Sequence, residues 1–233
     1  MRRNNLAKRI AVVVLAFCAA LAPARRAWAQ PRPAPDPAPG FEISGGIEWM
    51  GGASFGTVNA NEVVASGGAF PLFKVTNELG GTLGVNARIG KRVWRTFELE
   101  GSGSYSRPEL RSTTTGDVES APDLTATDRL RQITVEGAVL FTTPRWRIGR
   151  AAPFLSVGGG YLRQLHEGDT FAQDGRIYAV GGGARLPFLS RTRRPRSLGL
   201  RVDARAVVRT RGAAPDGASH LSPAVSLSGY VGF

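Results

Sequence analysis

Cysteine is nearly missing from this chain: Cys18 stands alone among 233 residues. A single thiol closes no loop, so the fold cannot rest on disulfide staples. The two histidines, His166 and His220, are far apart and have no cysteine beside them, which leaves no readable metal site and no cofactor expected. The glycine triplets Gly158–Gly160 and Gly181–Gly183 lack the Gly-Lys-Ser/Thr ending of a phosphate loop. They read instead as places where bulky neighbours pack closely inside a narrow sheet structure. After residue 40 there is no sustained helical periodicity. No apolar run there reaches the roughly 20 residues that a membrane helix needs. Lysine is scarce as well, at three against 27 arginines.

What is present begins with a leader. Arg2, Arg3, Lys8 and Arg9 form a basic start, Ile10 to Leu21 an apolar core, and Ala27-Trp28-Ala29 a small-residue cleavage site. Residues 1–29 are therefore expected to be a cleaved signal peptide. The leader holds six basic and no acidic residues, so its removal takes the net charge from +12 to +6. The high isoelectric point is thus partly a property of the leader, and no nucleic-acid partner is expected. Residues 30–40 are proline-rich, unable to form a ladder or a helix, and read as a short periplasmic linker.

From residue 41 the chain alternates with a period of two. Eight segments show it: 41–50, 79–90, 93–106, 130–142, 154–166, 176–188, 198–211 and 221–233. Their connectors alternate in length. Residues 90–95, 143–151 and 189–197 are short and rich in arginine, whereas 51–72, 107–128, 167–175 and 212–220 are longer and more polar. Short turns on one side and long loops on the other are the marks of an all-β, eight-stranded antiparallel up-and-down transmembrane β-barrel over residues 41–233. An even strand count places both ends on the short-turn, periplasmic side. Trp94 and Trp146 then suit an aromatic girdle there.

Alternation by itself does not tell inside from outside, but the charges do. Glu48, Arg88, Glu98, Glu100, Glu136, Arg201, Asp203, Arg205 and Arg209 lie within strands, on the polar phase of each, and both signs occur in similar number. Arginine's planar fork suits enclosed pairing with carboxylates. A cationic side chain at the bilayer midplane costs about 2–4 kcal/mol, so these groups are expected to point inward as a mixed network filling the lumen.

The last strand, LSPAVSLSGYVGF, alternates an apolar face with a small polar face and ends on Phe233. Together with the leader, the eight segments and the two glycine-rich strands, it resembles the bacterial outer-membrane β-barrel family, similar in architecture to the outer-membrane protein A and X barrels. The ending resembles that family's C-terminal assembly signal, carried here by Tyr230, Val231 and Phe233. The usual aromatic third from the end is replaced by Val231, with Tyr230 displaced by one. The resemblance implies location in the outer membrane and contact with its lipid. It also implies a monomer, and recognition by the barrel-assembly machinery through the last strand. It says little of function, because one fold hosts many. The reading is a structural or surface-interaction protein with a plugged lumen and no enzymatic activity. A narrow or gated channel is one alternative. A lipid-modifying enzyme resembling the lipid A deacylases is another, for which His166 with Glu167, or His220 with Ser222, would have to serve.

Overall fold

The computed structural model describes residues 40–63, 69–116, 122–166, 172–190, 197–211 and 218–233. The expected signal peptide and residues 30–39 of the linker lie outside them, as do Glu167 and the arginine-rich turn 191–196.

Among the described residues twelve strands form two sheets. Eight of them close into an antiparallel barrel: β1 (Phe41–Met50), β4 (Thr82–Arg92), β5 (Phe97–Ser106), β8 (Arg131–Thr142), β9 (Ala152–Leu165), β10 (Ala172–Ser190), β11 (Ser197–Arg211) and β12 (Ser219–Gly232). These are the eight segments of the alternating pattern, with ends shifted by a few residues. Closure is made by β1, which pairs with β12 on one side and β4 on the other. The Phe233 amide donates to the Phe41 carbonyl at 2.7 Å, and the Gly40 amide donates to the Phe233 carbonyl at 2.8 Å. Gly40, read as linker, therefore belongs to the closing ladder. The register of β10 on β11 shifts between Pro187 and Leu189, where proline has no amide to give the ladder.

The barrel wall is apolar outside, and its buried charge is gathered inside. Ile43, Leu83, Val85, Val135, Val157, Val180 and Leu227 are all exposed on its wall, whereas Arg201 and Asp203 are 1% and 2% exposed. That inverts a soluble barrel, whose apolar side chains face the lumen.

The second sheet is a correction to the sequence reading. Residues 51–72 and 107–128 look like polar loops, yet they form β2 (Ala53–Val63), β3 (Ala69–Leu79), β6 (Glu109–Thr115) and β7 (Leu124–Arg129), paired in the order β2-β3-β6-β7. These strands continue the barrel wall upward. The pairing of β1 with β4 ends at Met50 opposite Thr82 and resumes, in the same register, at Ala53 opposite Leu79. That of β5 with β8 runs on in the same way, from Ser106 opposite Gln132 to Glu109 opposite Arg129. Leu79, read as the start of a barrel strand, instead ends β3 and packs with Ala53, Phe55 and Leu130 in a small core at the corner. Threonine-rich stretches such as Thr113–Thr115 favour extended backbone. With both faces wet, they lack the apolar alternation that marks a half-buried strand.

Candidate functional site

The lumen gathers most of the chain's buried charge, and each strand supplies it through every second side chain. At the short-turn end Arg185 of β10 bridges Glu42 of β1 at 2.9 Å and Glu98 of β5 at 2.7 Å. Arg201 of β11 is next. It meets Glu42 at 3.4 Å and Asp203 at 2.9 Å, and it also pairs with Glu100. Both guanidiniums lie over the ring of Phe154, 5.1 and 4.7 Å from its centroid. That position lets the quadrupole of the ring share in holding them.

One layer further along, Arg88 of β4 pairs with Asp203 at 2.8 Å and with Glu48 at 3.7 Å. Arg88 also donates to the Ser226 hydroxyl at 2.8 Å. Arg205 joins Glu48 at 3.0 Å to Glu136 at 2.9 Å. The amide of Asn86 donates to Glu48 at 3.2 Å, and Ser228 donates to the Asn86 carbonyl at 3.2 Å. The result is one connected network across β1, β4, β5, β8, β10 and β11. Its carboxylates outnumber its arginines, so each arginine serves two or three partners. The void left at its centre measures about 10 Å³, on the order of the space of one water.

Above the charges sits a second layer that the sequence reading did not anticipate. Met50, Leu162, Ile177, Ala179, Val207 and Ala224 form a buried apolar cluster inside the barrel. Gln132 caps it, donating to the Met50 sulfur at 3.6 Å and to Ser106 at 3.4 Å, and it accepts from Gln164 at 3.0 Å. The lumen is filled by ions in one half and by apolar and amide groups in the other.

Eight of the nine charged residues chosen from sequence meet in the network. Arg209 does not. It points inward and is buried, but its Nε and Nη1 have no hydrogen-bond partner among the described residues. The cause is its height: Val207, one inward position nearer the charges, belongs to the apolar layer, which separates Arg209 from Arg205. Conversely, Glu42 and Arg185 are members that the sequence list omitted. Glu42 is on the same phase as Glu48, so extending the phase rule to the strand's first turn finds it. Arg185 follows a glycine triplet, where the small residues hide the alternation.

Two glycines in the inward phase make room for this packing. A Cβ on Gly183 would stand 2.1 Å from the Val202 carbonyl oxygen and 2.7 Å from the Phe154 ring, and one on Gly181 2.2 Å from the Ala204 carbonyl oxygen and 3.0 Å from Cγ of Arg205. The three residues of the terminal motif are split by phase: Tyr230 is buried in the lumen, while Val231 and Phe233 are partly exposed on the wall. The Phe233 ring lies 6.3 Å from that of Phe41 across the seam.

Both histidines stand at the junction of barrel and outer sheet. His166, at the end of β9, pairs through Nδ1 with Asp128 of β7. His220 of β12 packs edge-on against Phe55 of β2 at 4.9 Å, and Ser222 donates to the Gly52 carbonyl at 3.3 Å. Each therefore fastens one flank of the outer sheet to the barrel.

No family model matches the chain, and neither does any curated protein. Among solved structures it is similar to the outer membrane protein OprG from Pseudomonas aeruginosa, with 11% identity and a TM-score of 0.46 over 84% of this chain and 96% of that one. It is similar to the outer membrane protein AlkL in DMPC bilayers, with 14% identity and a TM-score of 0.43 over 89% and 97%. A third is Ail, the attachment invasion locus protein of Yersinia pestis, with 12% identity and a TM-score of 0.36 over 83% and 99%. At these scores the likeness adds nothing to the strand pairing, on which the barrel rests.

Proposed function

We propose that this chain is a monomeric outer-membrane barrel, exported through a cleaved leader, whose role is structural or one of surface interaction and whose lumen is closed to solutes. The observation that carries the reading is the inversion of polarity: an ion network buried in the lumen and an apolar wall outside it. An apolar surface continuous around a barrel far exceeds the few hundred Å² that a soluble monomer tolerates, whereas lipid covers it without cost. The short-turn end faces the periplasm and the outer sheet rises from the external face, offering an extensive surface for a partner. Insertion proceeds through recognition of the last strand by the barrel-assembly machinery. No catalytic role is assigned to His166 or His220, which stand at the sheet junction beside Asp128 and Phe55. No cofactor is assigned.

The test joins two measurements. Membrane fractionation with heat-modifiable gel mobility separates an inserted barrel from a soluble domain. Planar-bilayer recording of the refolded protein then separates a plug from a pore. Heat-modifiable protein in the outer-membrane fraction without steady conductance is the expected result. Free conductance by the unaltered protein refutes the closed lumen and favours the narrow channel.

A further inference from the structure

The turns at the short-turn end carry a feature that neither barrel closure nor lumen packing uses. Residues 91–96 and 143–151 contain Lys91, Arg92, Arg95, Arg145, Arg147 and Arg150 and no carboxylate. The two turns are neighbours because β5 and β8 are paired, and the Thr142 amide donates to the Thr96 carbonyl at 2.9 Å. None of these cations makes an ion pair among the described residues, unlike Arg111 and Arg129 at the other end, which share Glu109. Glu98, the ladder partner of Arg92, is the nearest acid to the cluster; the remaining like charges repel one another, so such a cluster is stabilised by an anion from outside the chain.

The β4–β5 turn also has a shape for one. Arg92, Val93, Trp94, Arg95 and Thr96 line a surface cavity of about 580 Å³. That lies within the range of about 300–1,000 Å³ usual for small-molecule sites. Within it, Nε of Arg92 is buried and has no hydrogen-bond partner among the described residues, and buried donors are rarely left so. Arg147 is on the neighbouring turn, which the Thr142–Thr96 hydrogen bond holds beside this one. Beside the cations the wall turns aromatic. Trp94 is 73% exposed, and Trp146 packs on Phe141, which packs on Phe97, at 5.3 and 5.4 Å. Tryptophan at such a level marks the boundary of hydrocarbon and headgroups.

We propose that this cavity is a binding site for the phosphodiester headgroup of an anionic phospholipid. Arg92, Arg95 and Arg147 hold the phosphate, and Trp94 lies against the glycerol and first methylenes. The inference rests on the transmembrane reading above, since acyl chains must run along the apolar wall below the site. Guanidinium forks match phosphate oxygens bidentately, which suits arginine better than lysine in these positions.

The test uses the full mature barrel in mixed-lipid nanodiscs, with heat-modifiable mobility as the check that each variant has inserted. Lipids retained after transfer to detergent are counted by native mass spectrometry. The unaltered protein should retain phosphatidylglycerol several-fold over phosphatidylcholine. The triple variant Arg92→Gln, Arg95→Gln, Arg147→Gln should lose that preference, while Arg111→Gln with Arg129→Gln keeps it. Equal retention of the two lipids, or an undiminished preference in the triple variant, overturns the site while leaving the barrel reading intact. Displacement of the lipid by inorganic phosphate at millimolar concentration overturns a lipid source in favour of free phosphate. Preferential retention of lipopolysaccharide through the same arginines overturns the phospholipid assignment and the orientation with it. Failure to insert at all refutes the transmembrane reading itself.

Discussion

Replacing Arg201 by methionine is the sharpest probe of the closed lumen. The side chain is 1% exposed and meets three carboxylates, those of Glu42, Glu100 and Asp203. Its loss leaves Glu100 with Arg88 alone, at 3.9 Å, and Glu42 with Arg185 alone. Breaking one side of a buried ion pair costs about 3–5 kcal/mol, because the charge left behind has lost its compensation without regaining water. The contact with Phe154 adds to the loss, by about 0.5–2 kcal/mol for a cation over a ring. Methionine fills part of the volume, so little of the effect is a cavity. The expected loss is therefore about 3–5 kcal/mol, read as a lower urea midpoint at unchanged slope for the refolded protein in lipid. Arg111→Ala is the control: its side chain is 62% exposed and 3.5 Å from Glu109. An exposed pair of that kind is worth about 0.2–1 kcal/mol. Arg205→Ala, with two carboxylate partners, should fall between the two. Adding Glu100→Gln to Arg201→Met should recover part of the loss, since neighbours in one network are not additive. Equal midpoints for Arg201→Met and Arg111→Ala would show that water reaches the lumen freely and that the network contributes nothing to closure.

Four further outcomes follow from the same geometry. Phe233→Ala removes the ring beside Phe41 and the expected anchor of the assembly signal, and should lower the outer-membrane fraction of the protein and raise its periplasmic degradation; normal insertion would sink that role. Gly183→Val drives a Cβ into the Val202 carbonyl oxygen, 2.1 Å away, as well as against Phe154, and should destabilise the barrel by at least the usual cost of overpacking, about 1–3 kcal/mol, measured by the same urea midpoint. Shrinking Arg88, Arg201 and Arg205 together with their acids should leave conductance near zero while the apolar layer stands; current should appear only when Met50, Leu162 and Ile177 are also cut to alanine. Protease added to intact cells should cut between β6 and β7, while the turn 191–196, with Arg191, Arg193, Arg194 and Arg196, stays intact until the outer membrane is opened; the reverse pattern would invert the topology.

The barrel was legible because its wall separates two solvents, so every second residue must be apolar and the period survives in the sequence. The charges in the lumen were legible for the same reason: Glu98, Glu136 and Arg205 each interrupt the pattern on one phase. Which acid meets which arginine was not, because stagger between strands sets heights that no single strand records. That is why Arg209 looks like a member on its phase and is separated from the network by an apolar layer. Arg185 was missed where glycines erase the alternation. The outer sheet was missed because strands such as β7, wet on both faces, carry no apolar phase at all; only their threonines and valines hinted at extension.

Because β2 with β3 and β6 with β7 start in the registers of the pairs beneath them, the height of the external hairpins is uncoupled from the geometry of the barrel. Adding residues in equal number to both arms of a hairpin raises its tip and leaves every pair below it opposite its old partner. An odd residue inserted at the corner has the reverse effect: it turns Phe55 away from His220, or Asp128 away from His166, and unfastens that flank. The wall can thus be remade at its tips by paired insertions while its base holds still.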